Sequence, residues 1–150
     1  MLVVSGGVVA LGVGRAVPAG AAVSVSTVYV TNQGANTVTP IAVVTNTAGS
    51  PIPVGTNPDG MGITPDGKTA YVANNGAKTV TPIAVATNTA GTPIPVGTNP
   101  DGMGITPDGK TAYVANSGAG TVTPIAVATN TAGTPITVGT GPVGVGITPD

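Results

Sequence analysis

The chain has 150 residues, with four Lys/Arg against five Asp and a net charge of −1, enough length for one domain with a core. It contains no His, Cys, Glu, Trp or Phe, which excludes His-based triads, thiol nucleophiles, redox Cys pairs and ordinary zinc sites. Only Asp and neutral oxygens remain for a hard, calcium-like ion, and three Tyr with four scattered cations give nucleic acid no stacking platform and no basic face.

The N-terminal run "LVVSGGVVALGV", Leu2 to Val13, has the length of a signal-peptide apolar region and is too short to span a bilayer. "AVPAGAA", Ala16 to Ala22, follows with the small residues that signal peptidase prefers. A basic stretch ahead of the run is missing, and Arg15 lies after it, so a structureless leader is the alternative reading. Residues 1–25 are taken as an export leader cleaved between Gly20 and Ser24. The mature chain, with no membrane span, is then expected to be secreted or held at the cell surface.

From residue 26 onward repetition dominates. Tyr29, Tyr71 and Tyr113 stand 42 residues apart, each inside "VYVTN" or "AYVAN". Residues 29–70 and 71–112 differ at five of 42 positions, and residues 113–150 differ from 71–108 at six of 38. A period of this length without an amphipathic helix pattern predicts the four-strand antiparallel blade of a β-propeller. A parallel β-helix is the runner-up, but its coils are usually much shorter than this period.

Within a repeat the strands follow in order. "GMGIT", Gly60 to Thr64, predicts a short inner strand whose glycines suit a crowded axis. "PDGK" predicts a tight turn in which Asp66-Gly67, and Asp108-Gly109 in the next copy, supply tolerance for positive φ. "TAYVAN", Thr69 to Asn74, is the second strand and "NGAK" the next turn. "TVTPIAVAT", Thr79 to Thr87, is the third strand, apolar or small on both faces as a sheet between neighbours requires. "TPIPVG", Thr92 to Gly97, is the outermost, where Pro93 and Pro95 remove donors from a free edge.

The tetrapeptides "YVTN" at Tyr29 to Asn32 and "YVAN" at Tyr71 to Asn74 and Tyr113 to Asn116 carry a family resemblance. Together with "ITPDGK", "TN" and "PIPVG" they make the region from about Ser26 onward resemble the YVTN family of β-propeller repeats. The resemblance implies a propeller, usually of seven blades, of the kind found in bacterial and archaeal surface-layer and exported proteins. It also implies kinship with lactonase-like enzymes and with the haem d1 domain of nitrite reductase. The third copy departs from the pattern: "GPVGVG" places Val143 and Val145 where Asp101 and Met103 stand in the second.

Counted by strand, Thr27 to Gly55, Pro58 to Gly97, Pro100 to Gly139 and Pro142 to Thr148 supply three, four, four and one, twelve in all and the material of three blades. Propellers use about four to eight blades. The expectation is therefore a partial propeller, with the stop at Asp150 inside a "TPD" turn taken as truncation. The competing expectation is an arc completed by other copies, self-associating through exposed blade faces, the lone inner strand pairing with a neighbour's three-strand blade.

Few side chains suggest chemistry. Asp66 and Asp108 are expected to cap their own turns. Asp59 and Asp101, just ahead of the inner strand, are candidates for binding a cation or polar ligand at a channel mouth, although Val143 breaks their ring. Identical carboxylates in identical repeats do not supply the opposed environments that acid–base catalysis needs. Lys68 and Lys110 read as solvated turn residues, Met61 and Met103 as core filling, and Tyr29, Tyr71 and Tyr113 as packing between blades with each hydroxyl partnered. No catalytic, cofactor or metal residue is assigned. The expected function is a non-catalytic exported scaffold that binds other proteins or cell-envelope polymers, with no nucleic acid partner and no cofactor. The alternative is a slice of a lactonase-like or haem d1-like propeller, whose His, Arg or Glu residues would lie in other blades.

Overall fold

Each repeat combines β-branched hexapeptides with turns built on Asn, Asp and Gly, and each folds into one antiparallel sheet. The structure, a computed structural model, describes residues 26–149; the expected leader lies outside the described residues. The first sheet contains β1 (Thr27–Asn32), β2 (Thr37–Ala42), β3 (Thr47–Ala48) and β4 (Ile52–Pro53). A 3-10 turn over Gln33–Ala35 joins β1 to β2. The second contains β5 (Pro58–Ile63), β6 (Thr69–Asn74), β7 (Thr79–Ala84), β8 (Thr89–Ala90) and β9 (Ile94–Pro95). The third repeats it with β10 (Pro100–Ile105), β11 (Thr111–Asn116), β12 (Thr121–Ala126), β13 (Thr131–Ala132) and β14 (Ile136–Thr137). The fold is all-β, a partial β-propeller of three sheets.

Two strand boundaries differ from expectation. The third strand ends at Ala84, not Thr87, because Val85 to Asn88 form the turn to β8. Asn88 closes that turn with φ of 52°, a left-handed conformation Asn tolerates better than most residues. The outermost strand is two fragments rather than one. The first pairs Ile83 with Ala90 and Ala84 with Thr89, and the second pairs Thr79 with Pro95 and Val80 with Ile94. Between them stands Pro82, which has no N–H to offer an outer neighbour. Its carbonyl still accepts a bond from Gly91 N at 2.7 Å, so the outer chain swings past the gap. The twelve strands counted from sequence thus become fourteen. Residues 142–148 are not among them, because the described chain offers them no antiparallel partner.

The core lies between the sheets rather than within any one. Tyr29, Val38 and Ile52 of the first sheet pack on Ala70, Val72 and Ile83 of the second. Tyr71, Val80 and Ile94, on the opposite face of the second sheet, pack on Ala112, Val114 and Ile125 of the third. Alternation along β6 therefore assigns Ala70 and Val72 to one neighbour and Tyr71 to the other. Full burial of each Val or Ile contributes about 1.5–3 kcal/mol, so the stacking of sheets dominates stability. Met61 and Met103 pack against these two clusters from the inner strands.

The innermost strands approach each other closely. Gly102 N donates to Val143 O at 3.0 Å, linking β10 to the segment beyond the third sheet. A Cβ on Gly60 would collide with the carbonyl oxygen of Asp101, and one on Gly102 with that of Val143. At these positions only glycine lets the inner edges meet.

Candidate functional site

The two kinds of aspartate occupy different settings. Asp66 Oδ1 accepts bonds from the Thr64 hydroxyl at 2.7 Å and from Lys68 N at 3.0 Å. Asp108 repeats this with Thr106 at 2.6 Å and Lys110 N at 3.0 Å. The following Gly67 and Gly109 take φ of 69° and 70°. The Thr hydroxyl bond, then the Lys backbone bond, hold the Asp66 carboxyl below its ordinary value, and the same causes bring Asp108 down to about 2. Lys68 and Lys110 each reach the carboxylate two residues earlier, at 3.4 and 3.3 Å, in exposed ion pairs that contribute little. These carboxylates are fully engaged in turn geometry.

Asp59 and Asp101 are the second residues of β5 and β10, whose inner edges lie side by side. Asp59 is exposed and Asp101 half-buried. Burial, and then the Asp59 charge, push the Asp101 carboxyl upward. At the third equivalent position stands Val143, so two carboxylates rather than a ring face the inner edge. Among the described residues no group of three or more metal-ligating side chains forms. The geometry is a mildly acidic lip at one end of the inner strands.

The repeat tetrapeptides place two side chains with long-range tasks. Tyr29 donates its hydroxyl to Asn88 Oδ1, and Tyr71 to Asn130 Oδ1, both at 2.6 Å. The bonds run from β1 of the first sheet and from β6 of the second to the outer turn of the sheet that follows each. Burial raises the pKa of both phenols. Asn74 works in the opposite direction. Its Nδ2 donates to Thr79 and Thr81 hydroxyls at 3.1 and 2.8 Å, and its Oδ1 accepts from Gly55 N at 3.1 Å in the strap arriving from the first sheet. Asn32 and Asn116 make the same pair of Thr bonds within their own sheets. Asn116 Oδ1 is buried without a partner. The Tyr of the tetrapeptide thus ties a sheet forward, and Asn74 ties its sheet back.

Sequence reading placed Tyr between sheets but missed the asparagine acceptors. Asn88 and Asn130 sit in "ATNT", which carries only a turn signal. The outer turns also border shallow grooves, one of about 590 Å³ lined by Pro82, Pro93, Pro95 and Asn130, with an equivalent beside Asn88. They hold no convergent charge.

No protein-family model matches the chain, and no curated protein matches it by sequence. Solved structures do resemble it. Hydrazine synthase from Kuenenia stuttgartiensis is 27% identical, superimposing on 87% of this chain and 42% of its own with a TM-score of 0.77. Dihydro-heme d1 dehydrogenase NirN, in complex with DHE, is 19% identical over 81% of this chain and 26% of its own, with a TM-score of 0.68. U3-55K is 14% identical over 75% and 36%, with a TM-score of 0.67. All three are β-propeller proteins, and the chain spans less than half the length of each. The expectation of a non-enzyme is corrected by this likeness, since hydrazine synthase is an enzyme and NirN, which shares the fold, is another. The physical reason is one of extent: a residue inventory over three sheets cannot assign an enzyme class when similar proteins are more than twice as long.

Proposed function

We propose that the chain is the binding scaffold of an exported or cell-surface propeller protein of the YVTN-repeat type, engaging other proteins or envelope polymers through its turns and rim. The observation that carries this reading is where the copies differ. The first two repeats diverge at Thr31/Ala73, Gln33/Asn75, Asn36/Lys78, Val44/Ala86 and Ser50/Thr92. Four of these five pairs lie on turns or the outer margin, while the strands that pack between sheets are copied almost unchanged. Variation at a rim over a constant frame suits recognition at that rim. Export is tested by expressing the full chain in a bacterial host and sequencing the N-terminus of the envelope and medium fractions. A mature start between Gly20 and Ser24 is expected; an intact Met1 retained in the cytosol overturns export.

A second reading places these blades in a propeller enzyme or cofactor-binding protein of the haem d1-like type. It is favoured by the likeness to hydrazine synthase over most of this chain, and by the shared fold of a dehydrogenase solved with DHE. The three sheets then serve as wall and support for chemistry carried on other blades. Titration of the folded chain with a haem, followed by visible absorption, tests it. A saturable band supports the reading, and an unchanged haem spectrum overturns tetrapyrrole binding by these blades.

A further inference from the structure

The turn between β6 and β7 carries the sequence's single Asn-Gly pair, Asn75-Gly76, where the other copies have Gln33-Gly34 and Ser117-Gly118. Packing imposes the glycine. A Cβ on Gly76 would stand 3.1 Å from the Thr56 hydroxyl and 3.3 Å from the Thr56 carbonyl oxygen, in the strap between the first and second sheets. The missing Cβ also leaves the Gly76 nitrogen unhindered toward the Asn75 side chain, the arrangement in which asparagine is chemically least durable.

The reaction open to this pair consumes only water. The Gly76 backbone nitrogen loses its proton and attacks Asn75 Cγ. An N–Cγ bond forms, the Cγ–Nδ2 bond breaks and ammonia leaves. Water then opens the cyclic imide at either carbonyl, giving aspartate or isoaspartate, and no electron is transferred. Asn75 is half-buried and Gly76 exposed, so solvent reaches the pair.

In the folded chain the reacting atoms are held elsewhere. Gly76 N donates to Thr56 O at 3.1 Å and Asn75 N donates to Asn57 O at 2.9 Å. Asn75 Nδ2 donates to Pro100 O at 3.3 Å, at the start of β10 in the third sheet. The nucleophile thus gives its proton to the strap while the leaving group is turned toward another sheet. In the next copy Ser117 holds the matching joint without an amide, its N and its hydroxyl both donating to Asn99 O at 2.9 Å.

We infer that Asn75 is a modification site gated by the fold: it deamidates when this joint opens, and the product fits the closed joint poorly. Aspartate meets Pro100 O with an acceptor in place of a donor. Isoaspartate inserts a methylene into the main chain, so its two N–H groups no longer match Thr56 O and Asn57 O. The turn that ties the second sheet to both neighbours therefore keeps a permanent chemical record of having opened.

The test compares the full chain folded and held in urea, both at mildly alkaline pH. Trypsin releases the peptide Thr69 to Lys78, and mass spectrometry reads replacement of its amide by an acid. Conversion is expected to be at least about tenfold faster in urea, with two isomeric products, because protection in the folded chain follows local opening. Asn75→Ser, which copies the third repeat, is expected to abolish the fast conversion and to leave the urea midpoint within error of wild type. Asn75→Asp, which installs one product, is expected to lower that midpoint by about 0.3–1 M. Equal conversion in the folded and unfolded chain overturns the inference, as does an Asn75→Asp midpoint equal to that of Asn75→Ser. Fast conversion that persists in Asn75→Ser also overturns it, by moving the chemistry to Asn74.

Discussion

Tyr71 Oη lies 2.6 Å from Asn130 Oδ1, a bond that leaves a fully buried ring in one sheet and ends on an exposed turn of the next. It places a directional contact on an interface otherwise made of Val, Ile and Ala, and so fixes how far one sheet slides over its neighbour.

Removal of this hydroxyl should be felt within the folded chain. Tyr71→Phe is expected to destabilise by about 0.5–1.5 kcal/mol, since Asn130 is exposed and recovers a water. Asn130→Gly keeps the left-handed turn while removing the acceptor. A double-mutant cycle in urea should return a coupling of about 0.5–1.5 kcal/mol. The same cycle on Tyr71 and Asn88, which are not partners, should return a coupling near zero.

The inner edge predicts a contrast between chemically identical changes. Gly60→Ala drives a methyl group into the Asp101 carbonyl and is expected to cost about 1–3 kcal/mol as the strands separate. Gly144→Ala meets nothing within 4 Å and should leave the urea midpoint within error of wild type. Equal effects at the two sites would mean that close strand approach does not set the requirement for glycine.

Lys78 offers a gain. It stands at φ 57°, in a position where the first copy has Asn36 at 56° and the third has Gly120 at 63°. A lysine in this conformation carries strain that glycine lacks, and its side chain is exposed. Lys78→Gly is expected to stabilise by about 0.5–1 kcal/mol, read as a higher thermal midpoint. A lower midpoint would show that the lysine side chain contributes more than its backbone costs.

Acid should act through the Thr-capped turns. Asp108 is depressed from 3.8 to about 2, so its contribution is fully present above the unfolded value and lost as pH falls through the folded one. Asp66 is lowered by the same kinds of bond and acts in the same direction. Asp101 is raised, so it has the opposite sign: its contribution is present below 3.8 and fades as pH rises through its folded value. Asp108→Asn retains an acceptor for Thr106 but removes the titration, and should flatten the fall in urea midpoint between about pH 4 and pH 2. An unchanged acid limb would show that this turn does not govern acid sensitivity.

Much of this architecture is legible in the sequence because a repeat states its own period. The 42-residue spacing of Tyr29, Tyr71 and Tyr113, the Asp-Gly turns and the β-branched hexapeptides locate the sheets. What escapes is whatever depends on one sheet meeting another. The sequence "VATN" continues an apolar, β-branched run, and only Asn88 at positive φ reveals that the strand has ended. The broken outer strand follows from the lone missing donor of Pro82, which acts on a neighbour rather than on its own strand. The acceptors of Tyr29 and Tyr71 lie 59 residues away, an offset set by the stacking geometry and absent from the 42-residue period. At the candidate site, the turn-capping aspartates were readable because their partners are two residues away. The influence of Asp59 on Asp101 required the inner strands to be laid side by side.

The alternation along β6 has a kinetic consequence. Among the described residues, only the second sheet is covered on both faces, with Ala70, Val72 and Ile83 turned one way and Tyr71, Val80 and Ile94 the other. Opening it must release two neighbours, whereas a terminal sheet needs to release only one. In a single molecule, amide exchange should therefore be slowest in β6 and β7 and progressively faster toward either end, so that the chain frays from its ends while the middle of the stack holds.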